Sequence, residues 1–407
     1  AGLKVEGPVF DTMVAGYLHD ASQKIGMDAL AKSYLNYEPV SIESLIGKGK
    51  SAKSMDELPY EDVAQYACED ADVTYKLWKI LEEKLDEDEL TKIAEELEFP
   101  LIRVLAHMEK QGVSIDVEML EAFSEELTGD LETLEKQIFD LAGEEFNLNS
   151  PKQLGEILFV KMDLPAGKKT KTGQYSTSEA VLTKLAPDYE IPSLVLDYRS
   201  LSKLRSTYVD ALPKLVNEES GRIHTELNQT VAATGRLSSS NPNLQNIPIR
   251  TERGREIRKA FVPADGFKLL AADYSQVELR VIASISGDEN MIEAFKNGED
   301  IHSRTAKEIF GLESLDDVTS DHRRKAKEVN FGIPYGVSAY GLASRLGISN
   351  DEGKEMIDQY FERFPGIQTY IDETVKKAKD DGYVSTLLGR RRYIPELSSN
   401  AVMERAA

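Results

Sequence analysis

Apolar positions recur along most of this chain at three- and four-residue spacing, which predicts helices. Asp62–Leu85 is a strong helix candidate, and the pattern from Ile93 to about Gly143 is long and helical. Within that stretch Leu101, Val104, Leu105 and Met108 keep the spacing, and so do Leu127, Leu131, Leu134 and Ile138. Ser150-Pro151 opens a further helix, with Ser as its cap and Pro in its first turn. The basic loop Gly167–Gly173 comes next and suits either a DNA backbone or plain solvent. Ser176-Thr177-Ser178-Glu179 then has the form of a capped helix start. Beyond Gly221 the pattern changes. Arg222–Val231 alternates like a strand, and Phe267–Ala272 is a short, mostly apolar run ending on Asp273. Helices with glycine punctuation are expected from about Val277 to Lys379, then a hairpin from Tyr383–Leu388 and Arg391–Ile394 around Gly389-Arg390. A helical half is thus followed by an α+β half.

At 407 residues the chain suits two or three domains, and 41% hydrophobic with 29% charged residues fits a globular protein. It contains no internal repeat, low-complexity tract or apolar run long enough to span a bilayer. The first residues, Ala1–Lys4, read as an internal cut, and Met403–Ala407 stops among helix formers without a stop signal. Cys68 is the single cysteine, which rules out an intrachain disulfide, fits a reducing interior and reads as a small buried residue. The net charge of −22 is unusual for a nucleic-acid binder, so its distribution matters. Residues 221–407 hold 26 Lys+Arg against 28 Asp+Glu, whereas residues 1–220 hold 23 against 43. Phosphate binding depends on local basic surface, so charge neither suggests DNA nor excludes it.

Three segments could carry chemistry. Asp273-Tyr274-Ser275-Gln276-Val277-Glu278-Leu279-Arg280 places a carboxylate after an apolar run and before a helix. That position suits a hard cation in phosphoryl transfer, and equally suits a helix cap. In Arg323–Gly336, Arg323, Lys327, Phe331 and Tyr335 are four apart and share one helix face. Two cations followed by two aromatics suit a nucleoside triphosphate, and also an ordinary basic surface running into a core. Pro334 has no N–H to give, so the helix should kink or end there. Thr234–Pro248 is rich in amides and hydroxyls, which suits the minor groove of a duplex or plain turns.

Taken together and in order, these segments resemble family A DNA polymerases of the bacterial DNA polymerase I type. Asp273–Arg280 is similar to motif A of that family and Arg323–Gly336 to motif B, on the fingers helix. Thr234–Ser239 with Asn243–Pro248 resembles the primer-template-binding motif, and Glu299–His302 falls where the family has a phosphate-contacting His. The resemblance runs over essentially the whole chain. It implies an α+β right-hand polymerase of thumb, palm and fingers, joined to part of an RNase H-like α/β exonuclease domain. The implied division is 1–92 exonuclease-like, 93–217 thumb, 218–280 palm with motif A, and 281–407 fingers with motif B.

By the same resemblance Asp273 is a catalytic residue and one of two carboxylates for Mg²⁺, while His302, Arg323 and Lys327 hold the triphosphate. Phe331 packs on the sugar and implies discrimination against dideoxynucleotides. Tyr335 stands by the templating base, Glu278 is the steric gate against a ribose 2′-OH, and Gln276 belongs to the nucleotide site. Arg236, Asn243, Gln245 and Asn246 touch the primer-template duplex. Tyr66-Ala67-Cys68-Glu69-Asp70-Ala71-Asp72 is similar to the third exonuclease motif, with Tyr66 and Asp70 on one helix face, although taken alone the stretch reads as an acidic helix face. The implied partners are primer-template DNA and deoxynucleoside triphosphates, with no membrane, in a monomeric cytoplasmic enzyme.

The sequence also departs from the family. The other exonuclease carboxylates are expected before Ala1, and Asp11 is not one of them. The His-Asp-Glu motif with the second polymerase carboxylate is expected after Ala407, and Ser398–Ala407 looks short. The chain by itself is therefore expected to fold imperfectly and not to catalyse. A catalytically silent primer-template-binding protein on the same scaffold is the alternative. A single-subunit RNA polymerase is disfavoured by Glu278, and a stand-alone nuclease by the intact motif B.

Overall fold

The computed structural model describes residues 7, 9–165, 169–170, 173–249 and 251–398. It is α+β: mostly helical, with two small antiparallel sheets among the described residues. The chain divides into two compact units, one built from residues up to Phe99 with those from Ala271 onward, the other from Pro100–Leu270.

In the first unit, Asp11 caps the helix Thr12–His19, its carboxylate accepting from the N–H groups of Met13 and Val14, both at 2.9 Å. The helix Tyr60–Glu87 extends the expected Asp62–Leu85 by two residues at each end. It buries Val73, Leu77, Leu81 and Leu85, a stripe at four-residue spacing. Cys68 is exposed, contrary to expectation. Five residues before Val73 is about 140° round the helix from that stripe, so its thiol faces away from the core.

From Ala271 onward the core of this unit gathers Leu279, Met291, Ile301, Val329, Tyr360 and Phe364. The hairpin forms where expected, Tyr383–Ser385 pairing with Arg391–Tyr393 in the register Tyr383↔Tyr393. Its turn presents two arginines to the earlier part of the same unit. Arg391 Nη1 donates to Asp88 Oδ1 at 3.2 Å, and the other oxygen of Asp88 lies 2.6 Å from His19 Nδ1. Arg390 pairs with the buried Glu98, its guanidinium 5.4 Å from the Tyr17 ring.

The second unit has two cores. One packs Leu120, Phe123 and Leu127 of the helix Val117–Ala142 against Tyr208, Leu212 and Ile257. The other packs Ile138 from the end of that helix against Leu158, Leu182 and Val195. The helix Phe99–Gln111 buries Leu105 but leaves Val104 and Met108 exposed, so the apolar repeat there is wider than the buried face. Pro151 begins a helix capped by Ser150, as its sequence predicts. The helix Glu179–Leu185 starts after Ser178 without a side-chain cap bond.

Two strand expectations change. Arg222–Val231 narrows to Glu226–Asn228, paired with Ser238–Ser240, and to a bridge between Ile223 and Val113. Phe267–Ala272 is irregular, with Phe267, Leu269 and Leu270 largely exposed and Leu270 at 93%. A strand needs a neighbour to take its N–H and C=O groups, and no described strand pairs with this run. Most of the basic loop Gly167–Gly173 and most of Ser398–Ala407 lie outside the described residues. Of the loop's lysines, Lys169 stacks its ammonium 4.7 Å from the Tyr175 ring.

The buried Arg390–Glu98 pair yields a stability prediction. Glu98→Gln leaves the Arg390 charge without its counter-ion and should cost about 3–5 kcal/mol in urea denaturation. Asp72→Asn, which breaks the exposed pair with Lys76, should cost under about 0.5 kcal/mol. Equal losses would show that the Glu98 pair carries no special weight.

Candidate functional site

The site in the first unit is assembled from three stretches. The helix Ser320–Gly332 begins at Thr319, whose hydroxyl accepts from His322 N–H at 3.2 Å. It carries Arg323, Lys327 and Phe331 along one side, one turn apart. The helix ends at Gly332, so Tyr335 sits in the following turn and not on the same helical stripe. Pro334 cannot continue the ladder, and the backbone closes instead through Val337 N–H to Gly332 C=O at 2.9 Å. Gly332 is required at that close: a Cβ there would lie 2.9 Å from Val337 Cγ1.

The facing helix, Ile301–Ile309, is capped by Asp300, whose Oδ1 accepts from Ser303 N–H at 2.7 Å. Its second residue, His302, is buried at 3% exposure. Asn330, also buried, donates to His302 Nδ1 at 3.1 Å and accepts from the Thr305 hydroxyl at 3.0 Å. An Nδ1 that accepts belongs to the neutral Nε2–H tautomer. Burial, reinforced by the Arg323 and Lys327 charges and only partly opposed by Asp300, pulls the imidazole down from 6.5 to about 4. Phe331 stands against the same ring, centroids 5.7 Å apart. Arg323 grips Asp300 through Nε at 3.2 Å and Nη2 at 2.8 Å. Burial raises the Asp300 carboxyl, but Arg323 and the Ser303 N–H outweigh it and hold it at about 2.

The third stretch is Asp273–Arg280. Gln276 takes a left-handed conformation, φ 52°, as it enters the helix Val277–Ser286, and its Oε1 is buried without a hydrogen-bond partner. Glu278, in the first turn, accepts from the Tyr335 hydroxyl at 2.8 Å. Motif A and motif B segments therefore meet at that bond. Asp273 lies exposed in the irregular run before the helix and not at the end of a buried strand. Among the described residues no three His, Cys, Asp or Glu side chains come together as metal ligands. Asp273 offers a Mg²⁺ ion one carboxylate, and the rest of a near-octahedral oxygen shell would have to come from waters, phosphates or further carboxylates.

The second unit holds a separate cleft of about 1170 Å³. Asn243, Gln245 and Asn246 line one wall, and Arg199, Lys203 and Thr207 the other. Buried Ser239 organises the first wall: its hydroxyl accepts from Leu244 N–H at 3.0 Å and lies 2.7 Å from the Thr225 hydroxyl. Gln245 donates to Leu237 C=O at 3.2 Å. Arg236 is exposed and does not line the cleft. Sequence reasoning missed Arg199, Lys203 and Thr207, although their four-residue spacing was a usable signal. It also passed over Asp300, Thr305 and Asn330, whose polar pairing links two separate helices and leaves no local pattern.

Tyr66 and Asp70 lie half-buried on the helix Tyr60–Glu87, as their spacing requires. Burial and then the neighbouring Asp70 carboxylate push the phenol above its usual value. Asp70 Oδ1 is buried with no hydrogen-bond partner.

Residues 117–407 match the family described as DNA polymerase family A, and residues 2–86 match a 3′–5′ exonuclease family. The DNA polymerase I of Pseudomonas aeruginosa is 48% identical over all of this chain and 45% of its own length. That of Geobacillus stearothermophilus is 50% identical over 98% of this chain and 45% of its own length. The chain thus spans less than half of these curated relatives. A solved structure, the POL domain of Pol1 from M. smegmatis in complex with DNA primer-template and dNTP, aligns with a TM-score of 0.84 at 40% identity. That alignment covers 97% of this chain and 66% of the other.

The burial of neutral His302 sets a pH dependence. In the unfolded chain the imidazole protonates near 6.5, but in the folded protein only near 4. The unfolded state therefore binds more protons between those values, and folding stability falls as pH drops from 6.5 towards 4, by up to about 1.4 kcal/mol per pH unit. His302→Gln should flatten that part of the curve in denaturation series at stepped pH. An unchanged slope would show that His302 titrates normally.

Proposed function

Since this chain belongs to DNA polymerase family A, we propose that it carries the nucleotide-binding face and part of the duplex-binding surface of a template-directed DNA polymerase. The observation that carries the reading is the meeting of Arg323, Lys327, Phe331 and His302 on two facing helices, with Tyr335 bonded to Glu278 of the motif A segment. Two cations can take phosphate oxygens while Phe331 offers an apolar surface to a sugar. Neutral His302 can add an N–H donor. Glu278, in the first turn of the helix that follows Asp273, is the residue we assign to crowd a ribose 2′-hydroxyl. The M. smegmatis POL domain is bound to primer-template and dNTP, and we extend both partners to this chain.

For the duplex we propose the cleft of the second unit, with Asn243, Gln245 and Asn246 reading the minor groove and Arg199 and Lys203 taking phosphates. Arg236 is proposed to reach the duplex from outside that cleft. Within this reading residues 1–92 are the exonuclease-like part, 93–217 the thumb, 218–280 the palm and 281–407 the fingers. Tyr66 and Asp70 belong to the exonuclease part. Family A polymerases use divalent metal ions, and the expected Mg²⁺ needs ligands beyond Asp273. A monomeric, cytoplasmic protein completes the proposal. Among the described residues no helix is long and apolar enough to cross a membrane.

Primer extension tests this reading in a longer chain continued through the expected His-Asp-Glu segment. That protein should extend a primer with dNTPs, and Asp273→Ala should reduce extension by at least about 10³-fold, as loss of a group acting in the transition state does. Binding of primer-template without any extension would favour the silent binding scaffold instead.

A further inference from the structure

Asp300 is the least explained charge in the nucleotide region. It caps the helix Ile301–Ile309 through Ser303 N–H, and that task needs no charge, since Asn caps a helix as well as Asp does. Its ion pair with Arg323 is half exposed, a setting in which such pairs add little to stability. Yet the pair is bidentate and side-on, with Nε facing Oδ1 and Nη2 facing Oδ2. That grip occupies one edge of the guanidinium and leaves Nη1 without a protein partner among the described residues. Lys327, one turn further along the same helix, is exposed and likewise has no ion-pair partner among the described residues.

We propose that Asp300 is a positioning residue for triphosphate binding, holding Arg323 by one edge so that its other edge, beside Lys327, meets the phosphate oxygens. The inference rests on the triphosphate reading of Arg323 and Lys327. Two effects oppose each other here. The carboxylate repels a polyanion, but solvent and the guanidinium between them screen that repulsion. An unheld Arg side chain must be ordered on binding, whereas a held one has already lost that freedom, and its fork points in a fixed direction. The bidentate geometry favours the second effect.

The test is a double-mutant cycle on this chain, with inorganic tripolyphosphate as the probe and calorimetry as the readout. Asp300→Asn should weaken binding about tenfold, the size of one charge-assisted hydrogen bond, with only a small drop in Tm because the cap is retained and the lost ion pair is half exposed. In the Arg323→Ala background the same substitution should cause no weakening. The positioning role falls if Asp300→Asn binds as tightly as the starting protein or more tightly while Arg323→Ala weakens binding; Asp300 is then a bystander or a competitor. It falls too if Asp300→Asn weakens binding equally in both backgrounds, because the effect then does not pass through Arg323. If tripolyphosphate does not bind, or Arg323→Ala leaves binding unchanged, the triphosphate reading itself fails and this inference goes with it.

Discussion

Asn330 has no exposed surface, and a buried amide left without partners costs on the order of 1–3 kcal/mol. Both of its partners, His302 and Thr305, lie on the facing helix, one turn apart. Satisfying the amide therefore fixes the two helices in register as well as in contact, which apolar packing alone does loosely because it is non-directional. Everything on the nucleotide side follows from that register. It sets Arg323 opposite the Asp300 cap, brings Phe331 to the His302 ring, and decides the tautomer of the imidazole. A slip by one turn would leave Asn330 against Ile309 or Ile301 and separate every one of those pairs.

The same register bears on the phosphate-binding surface proposed for a chain of net charge −22. The cations that matter, Arg323 and Lys327, stand on one helix face, and His302 beneath them is kept neutral by burial. A neutral donor offers a hydrogen bond without a buried charge, whose desolvation would work against the packing. The acidic excess lies in the first 220 residues, where pairs such as Lys76–Asp72 and Lys84–Glu87 decorate exposed helix faces.

Much of the fold was legible because helices announce themselves locally. The stripe Val73–Leu85, the Ser150-Pro151 start and the end of the motif B helix before Pro334 all follow from spacing or from one missing N–H. Strands were harder to read. The run Phe267–Ala272 has a strand's composition, but pairing is a property of its neighbours, and none among the described residues takes it. Cys68 shows the limit of residue-type averages: its place about 140° from the buried stripe overrides its preference for the interior. In the candidate site the cations and aromatics were visible as a four-residue repeat. Asp300, Thr305 and Asn330 were not, since their partners lie across a helix–helix interface.

The two halves of the proposed nucleotide region are held by different kinds of bond. The Asn330 node is buried, so opening it exposes unpaired polar groups and strips apolar contacts at once. Tyr335 and Glu278 share a hydrogen bond near the surface, with Tyr335 63% exposed. Such a bond contributes about 0.5–1.5 kcal/mol net, because water replaces either partner at little cost. Tyr335 also stands beyond the end of its helix, on a turn closed by Gly336 at φ +76°, and lacks the ladder that restrains Phe331.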